Sequence, residues 1–223
     1  MIYGKIFSLL KNYFLLEWNL YTNHKFVKEL SIGRLSENKF LDYLVQDYLF
    51  LIQFSKAWSL ALVKSDNLKE MKVCAETVNG LINFEMDLHI SLCKKYGISK
   101  ETLDSAKEKN KNIAYTRYVL ESGFTGDFLD IITALIPCVI GYAEIGKNLK
   151  KCKPSNLMYL KWIQTYSGNE YQNLAKEVGK FYDNCIISRL GNNFQNTYKW
   201  KAIKDKFKTA TLLEVDFWEM SYE

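Results

Sequence analysis

Three positions put a titratable or reactive group in the middle of an apolar helical stripe. Phe40, Tyr43, Leu44, Asp47, Phe50, Leu51, Phe54, Trp58 and Ala61 follow the period of a helix, and one carboxylate stands where a core residue belongs. Phe207, Ala210, Thr211, Glu214, Phe217 and Trp218 repeat the arrangement around Glu214. Ile131, Leu135, Cys138, Tyr142, Ile145 and Leu149 form a further stripe with a thiol at its centre. An ionised carboxylate taken out of water costs several kcal/mol unless it is paired or hydrogen-bonded, so a repeated intrusion of this kind asks for a partner or a ligand. A buried cysteine taken alone reads as a small inert hydrophobe. Its neighbour Pro137 changes that reading, because proline removes a backbone donor and breaks the helix locally at the Thr133 carbonyl. A helix restarting there would favour a thiolate through its N-terminal dipole. Tyr115, Tyr118, Tyr159 and Tyr166 add phenols to apolar faces, where most tyrosines of an aromatic-rich chain serve as core.

Glu85 and His89 stand four apart in "NFEMDLHISL", a spacing that presents both to one ion. A carboxylate-bridged di-iron site asks for a Glu-x-x-His motif on each of two helices, and His24 and His89 are the only histidines, neither in that motif. The pair reads instead as a helix-surface or interhelical polar contact, and no metal site is expected.

The elements that carry these residues are helical. Only two prolines and eleven glycines occur in 223 residues, too few for the turns of an all-β fold, and 48% hydrophobic residues supply the core of a single domain over residues 1–223. The period predicts helices over residues 2–20, 25–31, 37–64, 68–96, 110–122, 126–151, 155–166, 168–188 and 197–221. Ser36 is placed to cap the third, Gly97 to end the fourth and Gly123 the fifth, while Ser167 and Glu170 form a capping-box pattern. The outcome is an all-α bundle of long helices.

Net charge is +5, but Arg34, Arg117 and Arg189 are the only arginines, so the fork-shaped donor favoured for phosphate and base recognition is scarce and nucleic acid is not the expected partner. The five cysteines, Cys74, Cys93, Cys138, Cys152 and Cys185, include no C-x-x-C pair and suggest a reducing compartment. The N-terminal "MIYGKIFSLLKNYFLLEWNLY" is interrupted by Lys11 and Asn12 and reads as an amphipathic helix rather than a signal sequence. No run is expected to span a membrane, which needs about twenty apolar residues.

The segments "HKFVKELSIGRLSENKFLDYLVQDYLFLIQFSKAW", "AYTRYVLESGF", "ALIPCVIGYAEIG", "WIQTYSGNEYQ" and "ATLLEVDFWEMSYE" resemble, in order and spacing, the thiaminase II family of TenA-type aminopyrimidine aminohydrolases. The resemblance covers nearly the whole chain, and its Q-D-Y, P-C-x-x-x-Y and E-x-x-F-W-x-M-x-Y elements are specific in combination. It implies a haem-oxygenase-like multi-helix bundle, a cytoplasmic homotetramer and no metal or organic cofactor. The implied substrates are thiamin and aminopyrimidine products of its breakdown, hydrolysed for salvage to 4-amino-5-hydroxymethyl-2-methylpyrimidine. By motif, Asp47 matches the aspartate that recognises the pyrimidine, Cys138 the nucleophile and Glu214 the acid/base carboxylate. Tyr115, Tyr142, Tyr166 and Phe217 match aromatic residues of the substrate pocket. Phe50 stands where many members carry tyrosine, and Lys25 follows His24 where His-Pro is common. Two other readings remain open on the sequence: a haem-oxygenase-like oxidase using a metal or a quinone precursor, and a noncatalytic pyrimidine-binding regulator.

Overall fold

In the computed structural model, which describes residues 2–223 apart from the side chains of Phe84 and Leu88, all regular structure among the described residues is helical. The helices are α1 (Lys5–Tyr13), α2 (Leu15–Thr22), α3 (Lys25–Ser31), α4 (Glu37–Val63), α5 (Leu68–Gly80), α6 (Met86–Lys95), α7 (Lys100–Ser105), α8 (Asn110–Thr125), α9 (Phe128–Leu149), α10 (Leu157–Ser167), α11 (Asn169–Leu190) and α12 (Tyr198–Tyr222). A π-helical turn, Leu81–Glu85, joins α5 to α6, and a short 3-10 turn, Phe194–Asn196, precedes α12. The chain divides into two compact units, Met1–Leu35 with Ile132–Trp218, and Ser36–Ile131 with Glu219–Glu223.

In the first unit, Phe7, Trp18 and Phe207 form a ring cluster: the Trp18 and Phe207 planes lie within 14° of parallel at 5.8 Å, and Phe7 meets Trp18 edge-on at 5.1 Å. The start of α1 lacks a local side-chain cap, and Asp183 of α11 supplies one. Its two carboxylate oxygens accept from the Lys5 and Ile6 amides at 2.7 and 2.8 Å. Glu144 on α9 accepts from Lys11 Nζ and Trp18 Nε1, so a carboxylate on the most apolar helix is satisfied by α1 and α2.

In the second unit, Phe40, Tyr43, Leu44, Trp58, Cys74 and Leu103 are fully buried. The Gln46 carboxamide holds the chain around α8 against α4. Its Oε1 accepts from the Lys109 amide and Asn112 Nδ2, and its Nε2 donates to the Lys107 carbonyl.

Several local expectations are corrected. Phe14 divides the N-terminal helix into α1 and α2, and α7 occupies a stretch expected to be irregular. Ser36 and Gly97 stand where expected. Ser36 is the N-cap residue of α4, although its side chain makes no capping bond. Gly97, at φ 83°, follows the last turn of α6, with its own amide bonded to Lys94 and that of Ile98 to the Cys93 carbonyl. Gly123, in contrast, lies inside α8. A Cβ there would come 2.5 Å from side-chain carbons of Leu60 and Ile131, so the glycine permits close packing rather than ending the helix. Ser167 is the last residue of α10 and Gly168 is the N-cap of α11, so no capping box forms. α9 is long and apolar enough to cross a membrane by length and composition, but 89% of its apolar window is buried, as in a core helix.

Candidate active site

The residues singled out by the sequence fall into two groups, one in each unit. In the second unit, α4 carries Asp47 and Phe50. Asp47 is 7% exposed; the Tyr43 hydroxyl, one turn earlier, donates to its Oδ2 at 3.4 Å, and His89 Nδ1 on α6 lies 3.6 Å from the same oxygen. The other ring nitrogen of His89, Nε2, is 2.6 Å from the Leu44 carbonyl. Burial pushes the Asp47 carboxyl up to about 7, with the Tyr43 hydroxyl opposing. Burial also pulls His89 below its ordinary value, with the Leu44 carbonyl opposing. Both shifts run toward the neutral forms, which weakens the approach of Asp47 and His89 as an ion pair.

Glu85, the last residue of the π-helical turn, is pushed up to about 7 by burial and then by the negative charge of Asp47. Burial, then Asp47, raises the Cys93 thiol to about 12, leaving it protonated and unreactive. Among the described residues no three His, Cys, Asp or Glu side chains come together in a way that could hold a metal ion. The Phe50 ring packs on Phe54 at 5.3 Å and on Tyr115 of α8 at 5.1 Å, which places Tyr115 beside the same helix as Asp47.

In the first unit, Cys138 is half-buried on α9, which runs without interruption through Pro137. The helix expected over residues 126–151 is therefore continuous past the proline, and no new helix N-terminus faces Cys138. The Thr133 side chain, one turn before Pro137, shares a hydrogen bond of 2.9 Å with the Tyr182 hydroxyl. One turn after Cys138, Tyr142 joins a cluster of rings. Its centroid is 4.9 Å from Tyr166, 5.4 Å from Trp218 and 5.9 Å from Trp162, while Tyr166 also meets Trp162 at 4.7 Å and Tyr171 at 4.8 Å. Phe217 is buried beside Trp218 on α12, and Glu214 is 1% exposed on the same helix.

Two glycines of α9 let this cluster close. A Cβ at Gly141 would overlap the Tyr21 ring, and one at Gly146 would overlap the Tyr166 carbonyl. Gln172 of α11 then fixes the end of α10. Its Nε2 donates to the carbonyls of Tyr166 and Ala143 at 2.8 and 2.7 Å, and its Oε1 accepts from the Tyr3 hydroxyl at 2.6 Å.

Trp162, Gln172 and the approach of His89 to Asp47 were not anticipated. Trp162 stands four residues before Tyr166, a spacing that signals a shared helix face. Gln172 carries no local signal, since its partners lie far away in sequence. Glu85 and His89 were expected to form a surface or interhelical pair; His89 does bridge α6 to α4, but it is buried.

A family model described as TENA/THI-4/PQQC matches residues 14–223. The chain belongs to that family. Among solved structures, this TENA/THI-4/PQQC member is similar to a TenA family transcription regulator from Silicibacter sp. TM1040. The TM-score is 0.96 at 47% identity, covering 99% of this chain and 98% of that one. It is 33% identical to an aminopyrimidine aminohydrolase of Halalkalibacterium halodurans, over 92% of this chain and 90% of the relative. A Shewanella denitrificans domain with a heme oxygenase-like fold matches at TM-score 0.73 and 14% identity, over 97% of this chain and 91% of that one, a likeness of fold alone. The expected haem-oxygenase-like helical architecture is thereby established.

Proposed function

We propose that this protein is an aminopyrimidine aminohydrolase of the thiaminase II type, acting on thiamin or on aminopyrimidine products of its breakdown. The observation that carries the reading is the family match over nearly the whole chain, joined to a 33% identical relative that bears the aminohydrolase name. The positions support it: a half-buried thiol one turn from a Tyr142–Tyr166–Trp162 ring cluster, and a buried carboxyl at Asp47 that burial raises to about 7.

In the proposed reaction the Cys138 thiolate adds to the pyrimidine carbon next to the one bearing the exocyclic methylene. Addition breaks aromaticity, a proton or hydrogen bond at a ring nitrogen accepts the displaced electron pair, and Tyr166 is assigned that contact. The ring then expels the amine or thiazole from the methylene, with Glu214 as proton donor. Water adds to the methylene, loses a proton to Glu214, and expulsion of the thiolate restores the ring. Atoms and charge balance without a metal or organic cofactor. Asp47 is assigned the amino group and adjacent nitrogen of the pyrimidine. Salvage of hydroxymethylpyrimidine by a cytoplasmic homotetramer completes the proposal, and light scattering of the purified protein tests the assembly.

Incubation with thiamin and with 4-amino-5-aminomethyl-2-methylpyrimidine, followed by chromatography, is expected to yield 4-amino-5-hydroxymethyl-2-methylpyrimidine. The 47% identical neighbour, a TenA family transcription regulator, favours a second reading, binding without turnover. Tight binding of either compound with no product in the same incubation would select it.

A further inference from the structure

The neighbours of Asp47 contain an asymmetry that a bare recognition carboxylate would not need. A carbonyl oxygen only accepts, so the 2.6 Å contact between His89 Nε2 and the Leu44 carbonyl requires Nε2 to carry the hydrogen. In the neutral ring that burial favours, Nδ1 is then a bare lone pair, and it faces Asp47 Oδ2 from 3.6 Å. The Tyr43 hydroxyl points at the same oxygen. Both protein contacts thus fall on Oδ2, and Oδ1 has no hydrogen-bond partner among the described residues. A lone pair facing Oδ2 repels an ionised carboxylate and attracts a proton on that oxygen, which a small rotation of the carboxyl brings into hydrogen-bond range. The carboxyl proton belongs on Oδ2, and Oδ1 is left as a carbonyl-type acceptor.

We propose that His89 is a positioning residue that sets the hydrogen-bonding polarity of Asp47, so that Oδ1 selects an amino group over an oxo group on the pyrimidine. The inference rests on the assignment of Asp47 to the pyrimidine edge. An amino group presents a donor to Oδ1, whereas the oxo group of a deaminated pyrimidine sets acceptor against acceptor. A site built around a fixed donor–acceptor pattern rejects the mismatched analogue strongly.

Two substitutions separate this role from simple packing. Gln at position 89 reaches the place of Nε2 and keeps the donor to Leu44, but puts no acceptor beside Asp47. Asn reaches the place of Nδ1 and can present a carbonyl oxygen to Oδ2, but loses the Leu44 bond. Calorimetry with 4-amino-5-hydroxymethyl-2-methylpyrimidine and its 4-oxo counterpart should give a wild-type preference for the amino compound of roughly 100-fold or more. His89→Gln should reduce that preference about tenfold or more, and His89→Asn should hold it within about threefold.

A preference unchanged in His89→Gln, or lost equally in both variants, overturns the inference while leaving the proposed function standing. If the wild-type protein does not bind the amino compound, or Asp47→Asn binds it as well as wild type, the assignment of Asp47 fails and the inference falls with it. Nitrogen-15 NMR of the unmodified protein reads the same point without a variant, since His24 is the only other histidine. Nε2 protonated and Nδ1 bare supports the inference; a proton on Nδ1, in either the other tautomer or the imidazolium, overturns it.

Discussion

The region around Asp47 and the region around Tyr142 solve different problems with different materials. His89, Gln46 and Asn112 are placed by hydrogen bonds that cross between helices, Asp47 takes its hydrogen bond from Tyr43 of its own helix, and burial raises the Asp47 and Glu85 carboxyls to about 7. Tyr142, Tyr166, Trp162 and Trp218 are placed by ring contacts and by glycines that allow close approach, with Gln172 fixing one backbone corner. The first arrangement sets out hydrogen-bonding groups; the second presents close-packed aromatic faces.

The largest effect should come from the thiol beside the aromatic region. Cys138→Ser is expected to lower hydrolysis by roughly three orders of magnitude or more while circular dichroism and melting stay near wild type. Near-normal single-turnover rates would end the covalent route. Glu214→Gln, in the same unit, should cut turnover by about a hundredfold and keep most of the product affinity, because it preserves shape and loses proton transfer.

Asp47→Asn should do the reverse, weakening binding of hydroxymethylpyrimidine by about 10- to 100-fold in calorimetry. It also carries a pH signature. The folded Asp47 carboxyl is raised from 3.8 to about 7, so its contribution to stability is full below the unfolded value and is lost as pH rises through the folded one. Urea unfolding of wild type and Asp47→Asn should therefore show the variant gaining on wild type between about pH 4 and pH 7. A difference that is flat across that range would show that Asp47 is ordinary in its ionisation.

Gly141→Ala sharpens the contrast from the packing side. The added methyl overlaps the buried Tyr21 ring, and a loss of about 1–3 kcal/mol in urea unfolding is expected. The smallest effect is reserved for Cys93→Ser. Its thiol is buried and held protonated, so stability moves modestly and turnover should stay within about twofold of wild type.

Much of this arrangement was legible because it is periodic. The stripes containing Asp47, Cys138 and Glu214 are surface-to-core patterns that any helix of period 3.6 must show, and all three lie on long helices. What escaped the sequence was decided by distant partners. Gly123 looked like a helix end because glycine often is one, but Leu60 and Ile131 fill the space where its side chain would be. Ser167 lost its capping role because α10 keeps it as a last residue and leaves Gly168 as the only connector to α11. Pro137 costs α9 one hydrogen bond, yet the helix is buried along most of its length and stays continuous. Asp183 capping α1, and Gln172 holding Tyr166, join residues more than a hundred positions apart or on different helices, where local pattern is silent.

The π-helical turn at Leu81–Glu85 makes chain length itself a variable at this site. A turn of this kind holds one more residue than an α-helical turn would. Deleting a single residue there would let α5 run into α6 as one regular helix with the face of α6 nearly unchanged, because the wide turn has already absorbed the extra residue. α4 has no such turn, and loss of one residue between Leu44 and Asp47 would carry Asp47 about 100° around the helix axis relative to Leu44. Length is therefore a spare dimension on the His89 side of this contact and a fixed one on the Asp47 side.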